Sequence, residues 1–63
     1  MVNTESWQIS IEQSSAFIES QIGADAVIAA FAKYGATGLE DLSPSHYSEL
    51  FGELYAIEAD LRN

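Results

Sequence analysis

Residues 43–62 read SPSHYSELFGELYAIEADLR, and this stretch decides the fold. It opens on Ser43-Pro44, a helix start signal. The serine can accept from the free amide hydrogens of a first turn, and Pro44 lacks a donor where none is needed. Apolar residues then recur at Tyr47, Leu50, Phe51, Leu54, Ile57 and Leu61. Steps of three and four place them on one side of an α-helix. The spacing predicts an amphipathic helix from Pro44 to about Leu61, its apolar side turned to a core.

Upstream of it, Ala36-Thr37-Gly38 is a turn, and Thr37-x-x-Glu40 has the form of a capping box. Leu39-Glu40-Asp41-Leu42 predicts one short helical turn whose two leucines plug the core. Before that, Asp25 can cap a second helix over Ala26–Tyr34, closed by Gly35, with Val27, Ala30, Phe31 and Tyr34 inward and Ile28 at the edge. Ser10-Ile11-Glu12-Gln13 is another capping box, opening a first helix that Gly23 ends. Ile11, Ile18 and Ile22 share one side of it, Phe17 lies on the flank, and Glu12, Gln13, Glu19 and Ser20 face away.

Ahead of Ser10 the readings stay open. Trp7, Ile9 and Ile11 alternate as a strand would, yet one short strand has no partner here. Otherwise Trp7 lies over the bundle as an apolar lid, or the first helix starts earlier, near Thr4. The expected organisation is an N-terminal segment over 1–9, partly ordered, and a single helical domain over 10–63. The fold class is all-α: a small three-helix bundle with an additional short helical turn, its sequential neighbours antiparallel because the loops are short. The two basic residues, Lys33 and Arg62, each fall in the last turn of an expected helix, where cations meet the negative end of the macrodipole.

Sixty-three residues make one domain at most, near the lower limit for a self-sufficient core. There is no cysteine and a single histidine, so disulfides and a metal staple are both missing. Packing must supply the stability, helped by self-association or a partner. An apolar fraction of 48% with seven aromatics is ample for a packed core and argues against disorder. The opening Met1-Val2-Asn3-Thr4-Glu5-Ser6 has no basic region followed by an apolar run, so no secretory signal is expected. No apolar stretch approaches the roughly 20 residues that cross a bilayer. A cytoplasmic setting is the expectation.

Ten carboxylates stand against two basic residues, a net charge of −8. Such a surface repels phosphate backbones, since nucleic-acid affinity comes mostly from Lys and Arg. Direct nucleic-acid binding and anionic membranes are therefore excluded as partners. A basic protein is the class of partner that the charge favours.

Glu58 is the odd residue, since a helical projection points it into the apolar arc of the last helix. A carboxylate facing a core is costly unless paired. Arg62 lies four residues on, the better orientation for an ion pair, and a packed stem with its head on Arg62 is the cheapest solution. Glu49, Glu53 and Asp60 share the reverse face with Gly52 and Ala56, a stripe suited to a Lys- or Arg-rich surface. Tyr55 lies furthest from the core arc, an exposed aromatic beside acids, as in protein-binding hot spots. Glu49, Glu53, Tyr55 and Glu58 are thus the candidate partner-binding residues.

His46 has no second ligand at a metal spacing, and the serines have no base beside them. Gly35-x-x-Gly38 has no strand before it and its lysine on the wrong side for a phosphate loop. No catalytic residue, cofactor or metal is expected, and the chain reads as a non-enzyme.

The segment from Phe31-Ala-Lys33-Tyr34-Gly35 through Leu39-Glu-Asp-Leu42-Ser-Pro44 to Arg62 resembles small acidic helical proteins of unassigned function. These are carried on conjugative transposons and related mobile elements of gut Firmicutes. The Lys-Tyr-Gly turn, Leu-x-x-Leu and Pro-started helix are also similar to C-terminal helical segments of phage recombination proteins. The match covers about half the chain, residues 31–62, and carries over no functional residue. It implies a mobile-element setting in a bacterial cytoplasm. The sequence thus suggests a non-enzymatic, acidic protein-interaction module, an accessory of a mobile element, able to form homodimers. The alternative is a nucleic-acid mimic that blocks the basic groove of a DNA-binding or defence protein.

Overall fold

A computed structural model describes residues 4–63 as three α-helices, α1 (Thr4–Ile22), α2 (Asp25–Ala32) and α3 (Tyr47–Arg62). Two 3-10 turns, Leu39–Asp41 and Pro44–His46, lie between α2 and α3. The fold is all-α, with no strand among the described residues. Of the expected N-terminal segment, residues 1–3 lie outside the described residues and the rest is helical.

The core forms where the three apolar stripes meet. Ile11 and Ile18 of α1 and Leu50 and Leu54 of α3 have no exposed surface at all. Val27, Ala30 and Phe31 of α2 close over them, and Ala36, Leu42 and Tyr47 seal the connecting segment. The main interface joins α1 to α3. At 1.5 Å per residue, α1 is about 28 Å long, close to the 29 Å longest dimension of the molecule.

Helix α1 begins at Thr4, the earlier start that the sequence left open, six residues before the Ser10 capping box. Ser10 is a half-buried residue of the helix interior, not its cap. The cause is Trp7, which continues the Ile11, Ser14, Ile18 stripe one turn upstream and packs edge-on against Phe51 at 5.7 Å between centroids. Burying that ring stabilises the extra turn, and tertiary packing overrides the local stop signal. Ile22, expected inward, is 52% exposed because α1 ends there and the chain turns away.

Glycine ends both of the first two helices. Gly23, at φ 89°, donates to the Glu19 carbonyl at 3.0 Å, the single bond of a left-handed cap. Gly35, at φ 73°, forms the fuller motif: its amide donates to Ala32 and the next amide, Ala36, donates to Phe31 at 3.1 Å. The buried Ala36 methyl then sits against the Phe31 end of the helix. Asp25 is not a cap. Only Gly23 and Ala24 link α1 to α2, and Ala24 is already helical with its carbonyl accepting from Ile28, so Asp25 falls inside the first turn.

The next two caps are also shifted from expectation. Asp41, not Glu40, reaches back: Oδ1 accepts from the amides of Thr37 (3.0 Å) and Gly38 (3.1 Å), and Oδ2 from the Thr37 hydroxyl (3.0 Å). Gly38 is the residue flanking this turn, so the third position after it is Asp41. Pro44 opens a 3-10 turn, and α3 starts only at Tyr47. Ser43 contributes its carbonyl, which accepts from the His46 amide at 2.9 Å, while its hydroxyl pairs with that of Ser45.

Candidate functional site

The four candidate residues of α3 separate into two groups. Glu53 and Tyr55 are two positions apart, about 200° around a helix, so they project from opposite flanks. Glu49 is exposed, on the flank of Glu53. Glu53 is half-buried because it reaches α2: Oε2 takes an ion pair from Lys33 Nζ at 3.2 Å and Oε1 accepts from the Tyr34 hydroxyl at 3.3 Å. Partial burial of Tyr34, then the charges of Glu53 and Glu49, raise the Tyr34 pKa above its ordinary value. This flank therefore serves α2–α3 packing, and Glu49 is the acid it leaves to solvent.

On the other flank, Glu58 is 8% exposed and pairs with Arg62 at 3.2 Å, the i,i+4 arrangement expected. The Arg62 guanidinium also lies 4.8 Å over the Phe17 ring of α1. A carboxylate at the core edge is thus neutralised by a cation that an aromatic face holds in place. Tyr55 is 60% exposed and leans on Phe51, whose ring meets Trp7. Trp7, Phe51 and Tyr55 make an aromatic run across the α1–α3 seam, open to solvent at its Tyr55 end.

Both cations are spent inside the molecule. Lys33 is bound to Glu53 and Arg62 to Glu58, and the other eight carboxylates have no Lys or Arg partner. Among them Glu5, Glu12 and Glu19 recur every seven residues, all exposed on α1. Asp41 is held ionised: backbone amides of Thr37 and Gly38 lower its pKa below the ordinary value.

His46 packs on Tyr34 at 5.3 Å, and its buried Nδ1 has no hydrogen-bond partner. No group of three or more His, Asp or Glu side chains could hold a metal ion among the described residues. No helix there is long and apolar enough to cross a membrane.

Sequence reading missed the concave surface between α1, α2 and the 37–41 turn. There Glu12 and Glu19 border an apolar cleft floored by Ile11, Val27 and Phe31. Glu12 and Glu19 read as solvent-facing, and they are exposed. What brings Thr37, Gly38 and Leu39 beside them is the Gly35 cap, a long-range effect of one turn. No protein-family model, curated protein or solved structure matches the chain.

Proposed function

We propose that the protein is a non-enzymatic interaction module that docks its acidic surface on a basic protein partner. The observation that carries this reading is the pairing of Lys33 with Glu53 and of Arg62 with Glu58, which leaves eight carboxylates without a Lys or Arg partner. A partner supplying Lys and Arg gains from eight uncompensated carboxylates, both in steering and in the bound state. A second copy of the chain brings the same charge and is disfavoured by it. Tyr55, exposed on the flank opposite Glu53 and backed by Phe51, is the aromatic anchor on the α3 side. A mobile-element setting rests solely on the resemblance of residues 31–62.

A second reading is favoured by the spread of the free carboxylates over α1, the connecting turn and α3. A surface negative on several sides can stand in for a phosphate backbone and fill the basic groove of a DNA-binding protein. Affinity capture from the host at low and high salt tests both. A basic partner released by salt is the expected result, and displacement of the protein from that partner by DNA selects the mimic. Recovery of neutral or acidic partners only, unaffected by salt, overturns the proposal.

A further inference from the structure

The cleft between α1 and α2 measures about 330 Å³, with Ile11, Val27 and Phe31 in its floor. Ile28 stands at its edge, 56% exposed. Ser15 lies between Glu12 and Glu19 on the opposite wall, its hydroxyl oxygen buried without a partner. Glu12, Thr37, Gly38 and Leu39 also border an adjacent second concavity of about 690 Å³, which Glu40 and Asp41 line. The result is one furrow with an apolar end and an acidic end. Neither Lys33 nor Arg62 lines it.

We infer that this furrow is a docking groove for an amphipathic basic helix of another protein, its apolar anchor seated at Ile28 and its Lys or Arg residues against Glu12, Glu40 and Asp41. Charge complementarity selects this occupant. Every charged residue along the furrow is a carboxylate, so a cationic segment is attracted over its whole length and a second copy of the chain is repelled. Helix-in-groove recognition needs accessible apolar surface for its anchors, and exposed Ile28 with half-buried Leu39 supplies it, backed by the buried Val27 and Phe31. Asp41 keeps its charge, since the Thr37 and Gly38 amides already stabilise its ionised form.

The inference rests on the reading of a basic protein partner and adds a contact on the α1–α2 side, separate from the Tyr55 anchor of α3. The test titrates the isotope-labelled full chain with a synthetic helix of leucine and lysine, leucines at helical spacing. A scrambled leucine–lysine peptide and a leucine–glutamate version are the comparators. Saturable amide shifts at Ser15, Ile28, Gly38 and Leu39 are expected with the amphipathic lysine peptide, weak ones with the scrambled peptide and none with the glutamate peptide. Ile28→Ser removes an exposed side chain and should weaken binding about tenfold or more. Glu12→Gln, also at an exposed position, should weaken binding and flatten its salt dependence. Equal binding of the scrambled peptide overturns the groove, as does insensitivity to both variants. Shifts confined to Glu49 and Tyr55 also overturn it, while leaving the acidic-module reading intact. Absence of binding to any lysine peptide removes both.

Discussion

Gly35 and Gly52 give opposite answers to the same substitution. Neither has an atom within 4 Å of where a Cβ would stand, so space does not separate them. Conformation does. Gly35 holds φ 73°, where an L side chain collides with its own carbonyl, and Gly35→Ala should cost about 1–2 kcal/mol. Gly52 lies inside α3 with ordinary helical geometry, and Gly52→Ala should add about 0.5–1 kcal/mol. Denaturant midpoints of the two variants check this, and shifts of the same sign would remove the assigned cap. Asp41 supplies a residue-scale test in pH. Its folded pKa lies below the ordinary 3.8, so it favours the folded chain above that value. The contribution disappears as pH falls through the lowered pKa. Acidification also relieves repulsion among the other acids, so the effect must be read as a difference. The stability gap between the wild type and Asp41→Asn should be widest above pH 4 and close below it. A gap independent of pH would show that the carboxylate bonds to Thr37 and Gly38 contribute nothing.

At the scale of the elements, Ser10 and Trp7 distinguish a cap from a helix interior. Were Ser10 an N-cap, Ser10→Ala would cost about 0.5–2 kcal/mol. Within the helix the same change should be neutral or gain up to about 0.5 kcal/mol, because alanine is the better helix former. Trp7→Ala should lose at least about 1 kcal/mol through the Phe51 contact. It should also leave the amides before Ser10 unprotected in hydrogen exchange while those around Ile18 stay slow. Equal protection at both ends of α1 would show that Trp7 does not hold the first turn. These cases mark what was legible. The apolar stripe of α3, the glycine stops and the Glu58–Arg62 pair depend on residues within a few positions of each other, and pattern reading found them. Ser10, Asp25 and Thr37 carry valid capping chemistry but lost to a contact or a chain constraint elsewhere: Trp7 on Phe51, a two-residue link, and a cap displaced to Gly38. The reverse face carrying Glu49 and Glu53 reads as an open docking stripe because projection ignores neighbours. Lys33 and Tyr34, from another helix, engage Glu53. The furrow joins positions 11–19, 27–31 and 37–41, and no single stretch announces it.

For the whole molecule, the imbalance of charge and the small size act together. Ten acids and two bases are held in a body of 29 × 25 × 15 Å, closer together than in the unfolded chain. Repulsion therefore weighs against folding. The screening length falls from about 30 Å at 0.01 M salt to about 10 Å at 0.1 M. The first value matches the molecule and the second is shorter than all three of its dimensions, so this change of salt removes most of the repulsion across it. Opposing it are the ion pairs Lys33–Glu53 and Arg62–Glu58, which screening weakens. The Lys33 side chain is 64% exposed, and such pairs are worth only about 0.2–1 kcal/mol. Glu58 is shielded at the core edge and its pair is less sensitive. Relief of repulsion should win. The thermal midpoint should rise between 0.01 and 0.1 M salt, each kcal/mol gained appearing as about 4–8 °C in a domain of this size. The rise should be smaller for a variant in which Glu5 and Glu19 are both glutamine, since part of the repulsion is already gone. A midpoint that falls over this range would mean that the two ion pairs outweigh the eight free carboxylates, and the outward field would then be too weak to select a basic partner.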